Sequence, residues 1–465
     1  MSVDAYQQFL AAKAITDPMT GLDDVPSLPD CLFPHQRDIV TWALRRGRAA
    51  IFAGTGLGKS LMELAWAQAV HNETGKDILH LAPLAVSAQM EREGRKFGIQ
   101  SQVVATQSDC RHGINITNYQ KLDHFDLSRF GGVILDESSI LKNTDGHYRT
   151  KLIDACQSIP FRIAATATPA PNDFMELGNH AEFLGIMKYT DMLATFFVHD
   201  GGDTAKWRLK GHAENEFWKW MARWAVMLRK PSDLGYPDDG YDLPPLNFHP
   251  HMVGVDYAPN IETGMLFPMQ AQTLQERLAA RRATVEDRCK LAASITPMDR
   301  PFVWWCNLNS EAETIAKLIP GAVNLHGGLK DSEKERILID FSEGKFTHLV
   351  TKASLAGFGM NWQHCADTGF VGLNDSFEQF YQAVRRFWRF GQTKPVNCHI
   401  IASELEGATV ANIKRKEMDA DRMAASMVMH MADLSSNAIR GTVRDTPDYN
   451  PQVPVKLPAF LEYAA

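Results

Sequence analysis

The chain has 465 residues, of which 45% are hydrophobic and 22% charged, and it carries a formal net charge of −7 at pH 7. That length accommodates two or three domains with sizeable cores, and the balance is that of a soluble globular protein. A mildly acidic total excludes a surface that coats polyanions everywhere, so a nucleic-acid partner has to be met by a local basic cleft.

No stretch approaches the roughly 18 uninterrupted apolar residues of a spanning helix, so no membrane partner is expected. The start, MSVDAYQQFLAAKAITDPM, lacks the basic head and apolar run of a secretory signal, and a cytoplasmic location follows as the expectation. Seven cysteines lie at wide spacing without a CxxC pair. They read as reduced thiols rather than as a disulfide framework or a zinc module.

Residues 1–28 form a weakly patterned leader closed by Pro26 and Pro29. From 29 to 190, apolar runs alternate with amphipathic stretches. RAAIFA (48–53), DILHLAP (77–83), GINITN (113–118), GVILD (132–136) and RIAATAT (162–168) predict strands, and LMELAWAQAVH (61–71) and SAQMEREGRKF (87–97) predict helices between them. Such alternation implies a parallel sheet with helices on both faces. Residues 191–284 differ, with a tryptophan-rich helix and a Pro/Gly/Asp loop, and read as a helical insertion.

Alternation returns over 285–405 in PFVWWCN (301–307), GAVNLHG (321–327), THLVTK (347–352), DTGFVGL (367–373) and NCHIIAS (397–403). Residues 406–465 read as a helical extension and tail. The fold class expected is α/β, with two doubly wound parallel-sheet lobes.

Chemistry concentrates in three places. AGTGLGKS (53–60) sits between a predicted strand and helix. There Gly54, Thr55, Gly56 and Gly58 let backbone N–H groups approach a phosphate chain at a helix N-terminus. Lys59 can reach the outer phosphates and the Ser60 hydroxyl can ligate Mg²⁺; a glycine-rich turn without nucleotide is the plainer alternative. Ala53 stands where the strict pattern has glycine. VILDESSILKN (133–143) ends a strand in two carboxylates, Asp136 for the metal and Glu137 for the attacking water. Two solvated charges capping a strand are the plainer alternative. In QAVRRFWRFGQ (382–392), Arg386 and Arg389 lie three apart and would share a helical face. They read either as fingers onto a transferring phosphate or as part of a basic amphipathic helix.

Taken together and in this order, the motifs resemble superfamily 2 helicases, specifically the Swi/Snf-like branch of DNA translocases, over about residues 30–405. LFPHQRDIVTWAL resembles the opening motif, in which Gln36 would read adenine. APLAVSAQMEREGRKF, beginning at Pro83, and ITNYQKL, with Thr117, match the next blocks. DESSILKN resembles D-E-A-H-x-x-K-N and retains Asp136, Glu137, Lys142 and Asn143. TATPAPN (166–172) is similar to T-G-T-P-x-x-N, whose Thr166 and Thr168 would couple hydrolysis to lobe movement. AGFGMN (356–361) resembles G-G-x-G-x-N, with Gly359 in the nucleotide site. QAVRRFWRFGQ fits Q-A-x-x-R-x-x-R-x-G-Q at every fixed position, Gln382 included.

Ser138 and Ser139 replace the family's Ala-His pair, and Ala167 and Ala356 each replace a glycine. A link from the carboxylate loop to Thr166 therefore passes through the Ser139 hydroxyl or is missing. The resemblance implies two RecA-like lobes, ATP and Mg²⁺ as cofactors, and duplex DNA met at Pro83, Thr117, Asn307 and Ser310. The compact size resembles a bacterial or bacteriophage version, which would work in the host cytoplasm. An RNA helicase, a restriction-system motor subunit or a nucleotide-switched DNA-binding protein remain as alternatives.

Elsewhere, Phe217, Trp220, Trp224 and Leu228 predict one apolar helical face packed on a lobe. Arg223, Arg229 and Lys230 are either a phosphate track or solvated. RLAARRATVEDRCK (277–290) predicts a charged, exposed helix, or else one touching phosphates. Methionines 423, 427, 429 and 431 are expected to bury a C-terminal helix, or to form a partner surface. His326 carries no assigned role, and no spaced His/Asp/Glu set marks a nuclease.

Overall fold

The computed structural model describes residues 20–142, 147–170, 173–200, 203–254, 282–356, 360–372, 376–403 and 407–439. Its first half runs Pro34–Arg46 (α1), Arg48–Ala53 (β1), Lys59–Thr74 (α2), Ile78–Ala82 (β2), Leu84–Lys96 (α3), Ser101–Val103 (β3), Ile114–Asn118 (β4), Gly132–Asp136 (β5), His147–Cys156 (α4) and Phe161–Thr166 (β6). Next come Leu177–Leu184 (α5), Tyr189–Phe196 (α6), Phe197–Asp200 (β7), Asp203–Leu209 (β8), Glu214–Trp224 (α7) and Ala225–Leu228 (β9). The second half runs Leu246–Val253 (β10), Val285–Ile295 (α8), Phe302–Cys306 (β11), Asn309–Leu318 (α9), Val323–Leu325 (β12) and Asp331–Ser342 (α10). It continues with His348–Thr351 (β13), Ala353–Ala356 (α11), Asp367–Val371 (β14), Phe377–Val384 (α12), Val396–Ser403 (β15) and Gly407–Ile439 (α13).

Two parallel sheets result. The first has the order β3-β4-β2-β5-β6-β1-β9 and the second β10-β15-β14-β11-β13-β12. Because strand residues alternate between faces, each sheet feeds two cores. Phe52, Leu81, Val133 and Leu135 point into one, while Ile51, Ile78, Ile134 and Ile163 point into the other. In the second sheet Val303 and Trp305 oppose Phe302 and Trp304 in the same way. The two parallel-sheet α/β lobes expected from the sequence are both present.

Sheet membership runs past the boundaries expected at 190 and 285. Ala225–Leu228 pairs in parallel with Ala50–Ala53 and so closes the first sheet, and Leu246–Val253 pairs with Val396–Ser403 in the second. The stretch between the lobes also holds the antiparallel hairpin β7–β8, so it is not purely helical. Helix α7 ends at Trp224, which places Leu228 in a strand rather than on the apolar helical face predicted for it. Phe217, Trp220 and Trp224 do pack into the first-lobe core.

Arg288 departs from the exposed helix expected around it. Its side chain is fully buried and pairs with an equally buried Glu311 at 2.8 Å. Glu311 also accepts the Asn307 and Leu308 N–H groups, both at 2.8 Å, and so caps α9. Residues 277–281 of that predicted helix lie outside the described residues.

Helix α13 leaves the second lobe and packs back on α7 and β9 of the first. Met427 and Met431 enter the first-lobe core, and His430 stacks on Trp218 with ring planes 3° apart. Met429 instead faces outward, 71% exposed.

Candidate nucleotide site between the lobes

The carboxyl ends of β1, β5 and β6 converge on one edge of the first sheet, the edge at which open α/β sheets take ligands. After β1 the chain turns through Gly56 (φ +92°) and Gly58 (φ +78°), conformations that strain any residue with a side chain. Gly58 starts α2 without a side-chain cap, leaving the first-turn N–H groups open to an anion. Lys59 Nζ donates to the Ala53 carbonyl at 2.9 Å. The Gln36 amide donates to the Leu57 carbonyl (2.9 Å) and accepts the Phe33 N–H (3.0 Å), so it braces the loop. Ser60 is half-buried in the first turn of α2.

Asp136 closes β5, buried, and its Oδ1 accepts the Glu137 N–H at 3.0 Å. Burial, reinforced by Glu63 and Glu137, pushes its carboxyl well above the usual carboxylate range. Glu137 has φ +54°, the one positive value at a non-glycine among the described residues. Such a backbone stores strain of about 1–3 kcal/mol and is held by its surroundings. Tyr119 donates its hydroxyl to the Asp136 carbonyl at 2.7 Å. Beneath the loop, Glu63 of α2 meets His80 of β2 at 3.0 Å. Burial raises Glu63 to about 8 and lowers His80 to about 4, which makes the pair neutral.

These groups fit a Mg²⁺–nucleotide. Thr55 Oγ1, Thr168 Oγ1 and Arg389 Nε are buried without a hydrogen-bond partner among the described residues, a state that costs stability until a ligand fills it. A divalent cation held at Asp136 would supply positive charge that favours the ionised carboxylate.

The second lobe closes over this edge. Glu137 Oε2 accepts from Thr166 Oγ1 at 3.3 Å and, across the cleft, from Gln382 Nε2 at 3.4 Å. Arg386 donates to Gln382 Oε1 at 2.9 Å, and Arg386 and Arg389 both reach the Met360 carbonyl, at 3.3 and 3.4 Å. Burial first, then the neighbouring Arg389, lowers Arg386 to about 9, while Glu137 and Asp136 oppose the shift. The two arginines do not share a helical face. Helix α12 stops at Val384, and both lie in the turns after it. A methyl group on Gly56 would lie 2.8 Å from the Phe390 nitrogen, so the glycine-rich loop and the arginine segment are in close approach.

The serine pair is resolved by neighbours. Ser139 donates to Glu378 of α12 at 2.7 Å, and Lys142 pairs with the same carboxylate. Contact with Thr166 is made by Glu137 itself, not by Ser139. Ser138 meets His180 of α5 at 3.1 Å. The other His180 nitrogen lies 3.4 Å from the Glu176 carbonyl and must carry the proton, so Ser138 donates to His180. Burial holds His180 neutral, at about 4.

Among the residues expected to meet nucleic acid, Pro83 lines a cavity of about 460 Å³ between the lobes, with Tyr119, Glu137, Ser139, Lys334 and Glu335. Thr117 is buried within β4, its hydroxyl donated to the Val104 carbonyl, and does not face that cavity. Asn307 borders a smaller recess with Lys352, and Ser310 is exposed on α9. Thr168 donates its N–H to Thr166 Oγ1 at 3.2 Å. Gly359, Asn143 and Asn172 lie outside the described residues.

Sequence reasoning missed Glu378, His180, Glu63 and His80. Only Glu378 carried a signal, since it stands four residues before Gln382 and shares its helical face.

Among curated proteins, none matches this chain. Among solved structures, the SWI2/SNF2 ATPase core of Sulfolobus solfataricus in complex with dsDNA is similar, at 17% identity and a TM-score of 0.41, over 90% of this chain and 98% of that one. Residues 297–391 match the family model of the helicase conserved C-terminal domain. In this region, which holds Asn307, Ser310, Gln382, Arg386 and Arg389, the chain is similar to helicases, as its motifs lead one to expect.

Proposed function

We propose that this chain is an ATP- and Mg²⁺-dependent motor of the Swi/Snf-like branch of superfamily 2, which moves along or remodels duplex DNA. The observation that carries the proposal is Glu137, held by Thr166 from its own lobe and by Gln382 from the other. A carboxylate shared by two lobes ties its position to their closure.

In this reading Lys59 leaves the Ala53 carbonyl for the outer phosphates, and Gln36 holds the loop in shape. Glu137 takes a proton from water as its oxygen bonds to the γ-phosphorus and the bond to the ADP oxygen breaks. Arg386 and Arg389 offset charge on the transferring group. Ser60 and Asp136 would hold Mg²⁺, which when bound neutralises phosphate charge. Thr166 and Gln382 report the state of Glu137 to the two lobes, whose opening and closing drives movement along a strand. Pro83, Asn307 and Ser310 would meet DNA mainly through phosphates.

The test is ATP hydrolysis without nucleic acid and with duplex DNA, single-stranded DNA or RNA, at low and high salt. Duplex should stimulate most, and stimulation should fall as salt rises. Turnover at the wild-type rate in Glu137→Gln, or stimulation by RNA alone, refutes the proposal.

A further inference from the structure

At the opposite end of the first sheet from the nucleotide edge, three side chains converge that the proposed motor does not use. His71 lies in the last turn of α2, Asp77 just before β2, and His112 just before β4. Each offers one ligand atom, and these atoms all lie within 4.8 Å of one another. The centroids of the two imidazole rings are 4.5 Å apart, edge to face.

We propose that His71, Asp77 and His112 form a site for a divalent transition-metal ion of the zinc class, with a fourth position open to solvent. His71 Nδ1 lies 2.8 Å from the Lys76 carbonyl. A carbonyl can only accept, so Nδ1 bears the proton and the lone pair of the neutral ring sits on Nε2. A backbone partner that fixes the tautomer in this way is the usual support of a metal-ligating histidine. His112 Nδ1 is 3.0 Å from Asp77 Oδ1. The ligand–ligand edge of a tetrahedral zinc site with bonds of about 2.0–2.1 Å is roughly 3.3 Å, so a small separation admits the ion in place of the shared proton.

The backbone carrying these ligands is already fixed. Asp77 Oδ1 accepts the Gly113 N–H at 2.9 Å, and the Ile78 N–H donates to the Gly113 carbonyl at 3.0 Å. On the other side of His112, the buried Asn115 accepts the Arg111 N–H at 3.0 Å and donates to its carbonyl at 2.8 Å. His112 is therefore exposed as a side chain yet pinned as backbone, which lowers the ordering cost of binding. Two imidazoles with one carboxylate suit zinc, cobalt or nickel and not magnesium or calcium, which prefer all-oxygen shells. Bound there, the ion staples the end of the phosphate-loop helix to the starts of two strands.

The test uses the full chain, stripped of metal and kept in excess Mg²⁺, which occupies hard-oxygen sites. Titration with CoCl₂ should give visible d–d bands saturating at one ion per chain, and ZnCl₂ should displace it. His112→Ala and His71→Ala should each weaken cobalt binding at least about 30-fold with an unchanged circular dichroism spectrum, since each removes a ligand outright. Wild type should gain thermal stability on adding ZnCl₂ while His112→Ala gains none. Equal cobalt binding by wild type and either variant overturns the proposal. So does a lack of bands at about 0.1 mM cobalt, well above the affinity of a preformed three-ligand site.

Discussion

Glu378 offers the sharpest test of how the lobes are held together. Its carboxylate accepts the Ser139 hydroxyl at 2.7 Å and pairs with Lys142, so one side chain of the second lobe grips two residues beside Glu137. Glu378→Gln keeps an acceptor for Ser139 but removes the charge facing the ammonium. The Lys142 and Glu378 side chains are 29% and 12% exposed, so the pair is neither fully screened nor fully desolvated. An exposed pair contributes about 0–1 kcal/mol and a charge-assisted buried hydrogen bond about 1.5–3 kcal/mol; discounting for solvent gives about 1–2 kcal/mol here. Because the contact exists only when the lobes meet, that energy changes the closed-to-open ratio by about 5- to 30-fold.

Fluorescence transfer between dyes placed on exposed residues of the two lobes would read closure, and steady-state ATPase would read its consequence. A double-mutant cycle with Lys142→Met isolates the pair. A coupling below about 0.3 kcal/mol, within the additivity error of distant sites, would refute the assignment of this contact to closure.

Lys59→Ala and Glu137→Gln should each abolish detectable ATP turnover while the thermal melting transition stays in place; hydrolysis measured beside a melting curve checks both halves. Glu311→Gln should destabilise the chain by about 3–5 kcal/mol, because it leaves the fully buried Arg288 without its counter-charge. Urea unfolding measures that loss, and one under about 1 kcal/mol, the range of an exposed pair, would show that the pair is not buried in solution. His180 should make stability pH-dependent. Its folded pKa of about 4 lies below its ordinary 6.5, so the unfolded chain binds the extra proton between these values. Stability is then fully present above about 6.5 and falls on acidification toward 4, by at most about 1.4 kcal/mol per pH unit. His180→Gln should lack that component, and equal pH profiles for the two proteins would contradict it.

Much of the fold was legible because a strand buried on both faces must be a continuous apolar run. RAAIFA, ILHLA, GVILD and FVWWC are such runs, and each forms the strand expected. Leu228 misled because a hydrophobic residue at helical spacing is equally welcome in a strand; pairing with β1 decided the matter. Arg288 misled because a charge on a helix is usually solvated, and only the partner at 311, supplied by another helix, makes burial tolerable. Arg386 and Arg389 were singled out by type and spacing and placed on a helix, but nothing local announces that α12 stops at Val384.

The sequence by itself determined the two α/β lobes, the glycine-rich turn after β1 and the carboxylates that end β5, because local periodicity and backbone chemistry dictate these. Only the tertiary structure decided what each group faces. It turned Ser139 toward Glu378 and Ser138 toward His180, set Gln382 against Glu137, and gathered His71, Asp77 and His112 at one end of a sheet. Such meetings depend on which distant elements the packed cores bring together, and that information lies in no single stretch of chain.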